Sequence, residues 1–340
     1  MTASPAIAQA PLRDAIIVDM TIPVCPGSGL TPTAEDFEEQ VNQYIQGGVT
    51  CGSFTVAADV ETSVLATIKS IARSRNFFLR DPDRFVLVDG VDDIICARQE
   101  GKLAVSFNFQ GTNPLTGDLD MLEVYRRLGV GHILLAYNHR NMVGDGCHEK
   151  TDGGLSRFGV RVVEKMNEVG IVVDGSHAGY RTSMEMLEVT SAPAIFSHSS
   201  PRALCDHERC ITDDQIRACA RTGGVVGLTG VGLFISNEGT DVSPERIVEG
   251  IDHVAQLVGP EHAGLGLDYV KDPSKAERML RAGRRHYGDP SSYPGDNLRF
   301  ASPTAIPEIA ERLFGRGYDE KAVRGVLGEN WLRVYREVWR

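Results

Sequence analysis

Eight short apolar runs alternate with amphipathic helical patterns along this sequence, and the alternation restricts the possible folds more than any other feature. The runs are Ala15–Thr21, Gly48–Val56, Leu103–Gln110, His132–Asn138, Ile171–His177, Ala194–His198, Gly224–Thr229 and Ala263–Asp268. Their near-continuous apolar character is typical of strands that are buried on both faces of a parallel sheet. Strands that alternate with helices predict a parallel α/β architecture.

The segments between these runs carry apolar residues at three- and four-residue spacing with charged residues between them, which predicts helices. The clearest are Leu122–Leu128, Leu155–Val169, Thr182–Val189, Asp213–Arg221 and Pro244–Val258, followed by Ala305–Phe314, Glu320–Leu327 and Glu329–Trp339. Asp213 and Ser243 are predicted N-caps. Eight strand–helix repeats without an early glycine-rich phosphate loop favour a closed (β/α)8 TIM-like barrel over a doubly wound sheet.

The length of 340 residues is typical of one such barrel with insertions, and no linker divides it, so a single domain over residues 1–340 is predicted. The segment Lys271–Pro303 contains four prolines and several glycines and serines. This composition predicts a long loop, or a lid, over the barrel mouth around residues 271–303.

Charge and cysteine content restrict the classes of function and the compartment. The formal net charge of −11 disfavours non-specific nucleic-acid binding and points to small-molecule chemistry. No apolar run is long enough to cross a bilayer, and the N-terminus lacks the basic and apolar regions of a signal peptide. Seven cysteines, an odd number without any Cys-x-x-Cys, predict reduced thiols in a cytoplasmic protein.

Polar residues occupy the predicted carboxyl end of every strand, which is where barrel enzymes place their chemistry. In chain order these residues are Asp19 with Thr21, Thr55, Gln110, Asn138, His177, His198, Thr229 and Asp268. Strand ends are exposed to water and therefore often polar. That simpler explanation suffices for Thr55 and Thr229.

His177 and His198 each follow an apolar run, on consecutive predicted strands. Adjacent parallel strands lie about 5 Å apart, so both imidazoles can reach one ion, and neutral imidazole is the commonest metal ligand. The pair predicts metal binding or acid–base chemistry. Asp268, at the end of the last run, is compatible with a metal ligand, a proton shuttle or the N-cap of the next helix.

A third group of polar residues follows the sixth run. Arg209 has the geometry to bind a substrate carboxylate, although arginines on loops are more often simply solvated. Cys205, His207 and Cys210 could form a small zinc site, but the spacing is irregular and the sequence provides no evident fourth ligand.

Several motifs occur in a characteristic series: Tyr137–Cys147, Asp174–His177, Ser197–Ser199 with Arg202–Leu204 and Arg209, Gly223–Gly227, Gly266–Tyr269 and Gly328–Val334. Together they resemble the membrane (renal) dipeptidase family, peptidase family M19. They follow the family order from about Asp14 to the C-terminus.

The resemblance implies a barrel-shaped binuclear zinc hydrolase that cleaves dipeptides and is often a homodimer. His177 and His198 match the two histidines that hold the second zinc ion of the family. Arg209 matches the arginine that manages the substrate carboxylate, and Asp268 matches the aspartate that transfers protons. Asn138 lies where the family has a side chain that contacts substrate.

The first metal site departs from the family pattern. Thr21 and Pro23 stand in place of a His-x-Asp pair, and Gln110 stands in place of the glutamate that bridges both ions. Two cations a few ångströms apart need a negative bridge, which a neutral amide cannot provide. We therefore expect at most one zinc ion, held by His177, His198 and the amide oxygen of Gln110, with Asp268 as general base.

Three hypotheses for function follow from these residues. The first is a metallohydrolase with one metal ion that acts on a dipeptide or a related small amide. The second is metal-free acid–base chemistry by His177, His198 and Asp268, and the third is a non-catalytic binding protein. The retention of these three groups and Arg209 argues against the third. A serine hydrolase is weakly supported, because Ser176 and Ser197 lie beside the histidines without a nucleophile-elbow motif.

Overall fold

The computed structural model describes residues 12–60, 63–283, 293 and 297–339. Its strands are β1 (Val18–Ile22), β2 (Cys51–Ala58), β3 (Phe85–Leu87), β4 (Leu103–Gln110), β5 (Val130–Leu134), β6 (Val172–Asp174), β7 (Phe196–Ser199), β8 (Val226–Leu228) and β9 (Ala263–Leu265). Each pairs in parallel with its neighbours, in the orders β1-β2-β4-β5-β6 and β7-β8-β9, while β3 pairs with the start of β4.

The helices surround these strands. They are α1 (Ala34–Gln46), α2 (Val64–Leu79), α3 (Val91–Glu100), α4 (Asp120–Arg127), α5 (Arg157–Val169), α6 (Tyr180–Val189), α7 (Asp213–Arg221), α8 (Gly232–Ile235), α9 (Pro244–Val258), α10 (Pro273–Ala282), α11 (Ile306–Gly315), α12 (Glu320–Arg324) and α13 (Asn330–Val338). A π-helical turn, Gly325–Glu329, joins the last two helices. No helix of the described residues has both the length and the apolar character that a membrane crossing requires.

Backbone hydrogen bonds close the two groups of strands into a barrel. Between β6 and β7, the Ile195 N–H donates to the Val173 carbonyl at 2.9 Å. At the other junction, the Asp268 N–H donates to the Thr21 carbonyl at 3.1 Å, which ties the end of β9 to β1. The prediction of a (β/α)8 barrel is confirmed, with β3 as an added strand.

The C-terminal helix closes the amino end of the barrel. Trp331 and Tyr335 on α13 are fully buried against apolar residues near the starts of the strands, including Val18, Cys51 and Val172. Tightly packed apolar side chains leave no space for solvent at this end. The opposite end, where the strand-end polar residues lie, is therefore the one available for a site.

Three details differ from the sequence predictions. The predicted cap of α7, Asp213, is its first helical residue, and Thr212 caps it by accepting from the Gln215 N–H. Ser243 occupies the N-cap of α9 but makes no side-chain cap bond. Strand β3 was not predicted, because three residues are too few to show a periodic pattern.

The predicted loop over residues 271–303 includes a helix. Asp272 caps α10 by accepting from the Ser274 N–H, and Pro273 occupies its first turn. Proline is tolerated in the first turn of a helix, because the backbone N–H groups there have no partner within the helix. Pro273 therefore does not indicate a loop. The parts of the prediction at residues 284–292 and 294–296 lie outside the described residues.

Candidate active site at the barrel mouth

Three of the predicted site residues adopt left-handed backbone conformations. Asn138, His177 and Asp268 have φ values of 61°, 64° and 54°. Such conformations cost non-glycine residues roughly 1–3 kcal/mol and tend to cluster at functional sites. In the described part of the chain only Thr116 and Asn297 share this property among non-glycine residues. The strain therefore supports a site at the mouth of the barrel.

The structure brings the two predicted histidines together. The Nε2 atoms of His177 and His198 are 3.0 Å apart, and both side chains are buried. Burial lowers the pKa of each imidazole well below its ordinary value, and the nearby Arg209 charge adds to this effect. Both imidazoles are consequently neutral at pH 7, which is the form that binds metals.

Asn138 fixes the tautomer of His177. Its amide oxygen lies 2.5 Å from His177 Nδ1. Because this oxygen only accepts hydrogen bonds, Nδ1 carries the proton and Nε2 carries the lone pair. The Tyr137 ring stacks on the imidazole with centroids 4.2 Å apart and holds its plane. Such support is what orients a histidine ligand or base.

His198 contacts two hydroxyls. Its Nδ1 lies 2.7 Å from Ser197 Oγ and 3.1 Å from Thr21 Oγ1. If Nδ1 accepts from a hydroxyl, His198 donates from Nε2 to His177 and the network is complete without an ion. If Nδ1 donates, two lone pairs face each other and a cation between them is required. The geometry accommodates both tautomers of the neutral His198.

Asp268 is a buried carboxyl with an unpaired oxygen. Burial raises its pKa to about 7, an effect that the Arg209 charge opposes and the Asp19 charge reinforces. Its Oδ1 has no hydrogen-bond partner within the described residues. The N-cap alternative is excluded, because the next helix, α10, is capped by Asp272. An ionisable group with a pKa near 7 and one unpaired oxygen is suited to proton transfer.

Asp19 has a similar pKa but different contacts. Its pKa is also raised to about 7 by burial, while the backbone N–H groups of Thr21 and Leu267 donate to its carboxylate. The Leu267 contact spans from β1 to the end of β9. Asp19 therefore helps to hold the first and last strands of the barrel together.

Arg209 is buried, so the alternative explanation of a solvated loop arginine does not apply. It donates from Nη1 to Ser199 Oγ at 3.0 Å and from Nη2 to the His198 carbonyl at 2.6 Å, and its Nε has no partner among the described residues. With His177 it lines a small cavity of about 160 Å³. Its predicted role with a substrate carboxylate stays a prediction.

Gln110 lines a separate, larger cavity of about 640 Å³ together with His177 and Asp268. Its Nε2 donates to Thr55 Oγ1 at 3.2 Å, and no hydrogen bond to its amide oxygen is found within the described residues. This orientation leaves the oxygen as the donor atom that an ion could use. Pro23 also lines this cavity but supplies no donor atom.

A binuclear metal centre does not fit these residues. Across the described part of the chain, no three His, Cys, Asp or Glu residues are grouped so that they could hold a metal ion. Thr21, at the position of a lost ligand, contacts His198 as a hydroxyl instead. The alternative site at Cys205 and Cys210 is not supported either, because their thiols donate to the Leu233 and Phe234 carbonyls.

Asp59, which the sequence does not single out, organises the loop that carries Asn138. Its carboxylate accepts from the backbone N–H groups of Asn113 and Tyr137 and from the side chain of Asn141, and burial raises its pKa to about 6. Asp59 directly follows β2, so its strand-end position was the available signal.

Comparisons with known proteins identify the family of this chain. A family model for membrane dipeptidase (peptidase family M19) matches residues 31–340. An uncharacterized dipeptidase of Schizosaccharomyces pombe is 32% identical over 286 residues, 82% of this chain and 64% of the relative. Dipeptidase 3 of Mus musculus is 33% identical, over 70% of this chain and 45% of the relative. The chain thus spans about half to two thirds of the length of these relatives.

Solved structures give the same result for the fold. An amidohydrolase from Pseudomonas aeruginosa is 31% identical with a TM-score of 0.85, and the alignment covers 97% of this chain and 99% of that one. A metallopeptidase from Rhodobacter sphaeroides, liganded with a phosphinate mimic of a dipeptide, has a TM-score of 0.78 at 18% identity, with 96% and 100% covered. The family match extends over most of the chain, and the chain belongs to the membrane dipeptidase family, peptidase family M19.

Proposed function

We propose that this protein is a metal-dependent hydrolase of the dipeptidase type that cleaves a dipeptide or a related small amide with at most one metal ion. The observation that carries the proposal is the buried pair His177 and His198, whose Nε2 atoms are 3.0 Å apart. His177 lines the larger cavity, which Asp268 also lines. Family membership supports the reaction class.

The imidazole pair fits one ion. Two nitrogen ligands at about 2.05 Å from a tetrahedral zinc ion lie roughly 3.3 Å apart, close to the observed separation. We propose His177 and His198 as ligands, with the amide oxygen of Gln110 as a weaker third. A bound zinc ion would polarise the scissile carbonyl and acidify a water molecule.

The remaining residues provide the proton transfer and the positioning. Asp268 in its ionised form accepts a proton from water, whose oxygen then bonds to the carbonyl carbon. The C–N bond breaks, and the amine nitrogen takes a proton as it leaves, so a carboxylate and an amine are the products. The Arg209 charge, which lowers the pKa of Asp268, helps to keep it ionised. Asn138 keeps His177 in the orientation described above.

A panel of dipeptides and small amides tests this proposal. We expect hydrolysis by the zinc-supplemented chain, and a loss of about 10²–10⁴-fold in kcat for Asp268→Asn, because a general base contributes that much. Arg161→Gln, a change on the exposed side of α5, should retain full activity. Absence of turnover on the whole panel, with and without added zinc, would overturn the proposal.

Metal-free acid–base chemistry at the same residues is the second candidate. It is favoured by the hydrogen-bond network in which His198 accepts from a hydroxyl at Nδ1 and donates to His177 from Nε2. Exhaustive treatment with a chelator separates the two candidates. Activity that survives chelation and is not raised by added zinc favours the metal-free reaction.

Four further points belong to the proposal. A small-molecule, dipeptide-like substrate follows from the family. A cytoplasmic location is supported by the seven free thiols. A homodimer is proposed from the family resemblance alone. A single barrel domain is supported by the hydrogen bonds that close the strands.

A further inference from the structure

The two histidines of the site follow strands that few backbone hydrogen bonds join. Within the described residues, β6 and β7 share one isolated bridge, between Asp174 and Ile195. In a regular parallel ladder the next N–H of β7, that of Ser197, would donate to a backbone carbonyl of the adjacent segment. Here it donates to the Asp174 side chain at 3.1 Å. A carboxylate therefore replaces the ladder directly before His198.

The Asp174 carboxylate links the two residues that precede the histidines. Asp174 ends β6 and is fully buried. Its Oδ1 accepts from the Ser197 N–H and also from the Ser176 N–H, the latter at 2.8 Å. Ser176 directly precedes His177, and Ser197 directly precedes His198. One oxygen atom thus holds both histidine-bearing segments at a fixed distance from each other.

The Ser176 hydroxyl extends this link to His198 itself. Its Oγ accepts from the His198 N–H at 3.2 Å and lies 3.3 Å from Ser197 Oγ. Ser197 Oγ in turn contacts His198 Nδ1 at 2.7 Å. Both the backbone and the ring of His198 are therefore connected to the group of atoms around the Asp174 carboxylate.

The same arrangement occurs where β9 meets β1. Asp19 Oδ1 accepts from the N–H of Thr21, two residues further on, at 3.0 Å and from the N–H of Leu267 at 3.1 Å. Asp174 likewise accepts from an N–H two residues further on and from one that follows the adjacent junction. The barrel thus uses one arrangement at both junctions between its two groups of strands. At the junction of β6 and β7, the residues that it holds precede the histidines.

We propose that Asp174 is a positioning residue that, with the Ser176 hydroxyl, sets the separation of the two imidazoles by accepting hydrogen bonds at Oδ1. The proposal rests on the hydrolase function proposed above, because this separation is what one zinc ion requires. The other oxygen, Oδ2, lies 3.7 Å from His132 Nε2, and neither atom has a hydrogen-bond partner within the described residues. Burial lowers the pKa of His132 to about 4, so this contact is not an ion pair at pH 7. The acceptor oxygen, and not the negative charge, performs the positioning.

Two substitutions at Asp174 separate the acceptor from the charge. Asp174→Asn keeps an acceptor oxygen, loses the charge and should bind zinc as tightly as wild type. Asp174→Ala removes the acceptor and should bind zinc about 10–100-fold more weakly, the range found for residues that orient metal ligands. Competition with a chromophoric chelator measures Kd. Wild-type affinity in Asp174→Ala, or an equal loss in both variants, would overturn the proposal.

A second variant applies if Asp174→Ala does not fold. Ser176→Ala removes only the hydroxyl that accepts from the His198 N–H. Its zinc affinity should fall about threefold, as expected for one lost hydrogen bond. An unchanged affinity in this variant would overturn the proposed link to His198.

Asn330→Ala is the matched control for a general loss of stability. The Asn330 side chain is buried and donates to the backbone carbonyls of Pro260 and Ala263 at the closed end of the barrel. We expect this variant to unfold at a lower urea concentration than wild type, as Asp174→Ala does, but to keep the wild-type affinity for zinc. Weaker zinc binding by Asn330→Ala would mean that affinity merely follows stability and would overturn the inference.

A measurement on the metal-free chain keeps this inference separate from the proposed function. The ¹⁵N chemical shifts of the His177 and His198 rings report on the contact between their Nε2 atoms. They should be the same in wild type and Asp174→Asn and should change in Asp174→Ala. Unchanged shifts in Asp174→Ala would overturn the positioning role and leave the hydrolase function standing. The expected shifts in a chain that neither binds zinc nor hydrolyses amides would instead overturn the hydrolase function and support the positioning role.

Discussion

The buried carboxyl of Asp268 is suited to proton transfer, but its burial lowers the stability of the folded protein at neutral and alkaline pH. Its carboxyl is buried, one oxygen lacks a partner among the described residues, and its pKa is raised to about 7. The folded state therefore keeps a proton that the unfolded state has already lost above about pH 4. Its contribution to stability is present below about pH 4 and is lost as the pH rises through 7.

Replacement of this carboxyl by an amide should stabilise the protein at alkaline pH. We expect Asp268→Asn to raise the free energy of unfolding by on the order of 4 kcal/mol at pH 8, with little change at pH 4, because the amide never ionises. Urea denaturation of both proteins at several pH values measures this difference. A variant that is less stable than wild type at pH 8 would contradict the assigned environment.

The same carboxyl should set the acid limb of the pH–rate profile. As a general base it works only when ionised, so kcat/KM should fall about tenfold for each pH unit below about 7. The histidines cannot produce this limb, because burial lowers their pKa values well below 6.5. Asp19→Asn is the comparison variant, because Asp19 also has a raised pKa but bonds to backbone N–H groups. Its limb should persist at a lower pH, since the Asp19 charge helps to raise the pKa of Asp268. Loss of the limb in that variant would assign it to Asp19.

At the scale of elements, close contact between neighbouring strands fixes the position of His198. A Cβ atom at Gly266 would lie 1.9 Å from the Ser197 carbonyl oxygen, directly before His198. We expect Gly266→Ala to destabilise the barrel by about 3 kcal/mol or more, since backbone atoms cannot yield as a flexible side chain can. Gly315→Ala, at the open end of α11, has no atom within 4 Å of its new Cβ and serves as control. Urea denaturation compares both variants, and equal midpoints would contradict this packing.

The elements themselves could largely be predicted from the sequence. Buried parallel strands read as continuous apolar runs and helices as periodic ones, so the barrel follows from local patterns. The end of an apolar run predicts the end of its strand less well. The run His132–Asn138 predicts one strand, whereas β5 ends at Leu134. The apolar character continues there because Leu135 and Ala136 are buried in the loop that leads to Asn138.

Some residues of the candidate site could also be predicted from the sequence, and others could not. His177, His198 and Asp268 were found because strand ends converge in a barrel. The burial of Arg209 and the organising role of Asp59 depend on partners 10 to 82 residues away in the chain. No local pattern encodes such contacts, and only the assembled structure reveals them.

For the whole molecule, our proposal is that this chain has a site for one ion where the family resemblance implies two. Thr21 contacts His198, and Pro23 and Gln110 line the larger cavity together with His177. We expect the triple variant Thr21→His, Pro23→Asp and Gln110→Glu to bind close to two zinc ions per chain. Elemental analysis of gel-filtered protein gives the number, and no gain over wild type would mean that these positions do not correspond to the missing ligands.

The most direct test is the zinc content of the wild-type chain after equilibration with excess zinc and removal of the free ion. The account predicts close to one ion per chain, and a marked loss of that ion in His198→Ala, because two buried imidazoles provide the principal ligands. Two ions in the wild-type chain, or an unchanged zinc content in His198→Ala, would contradict it.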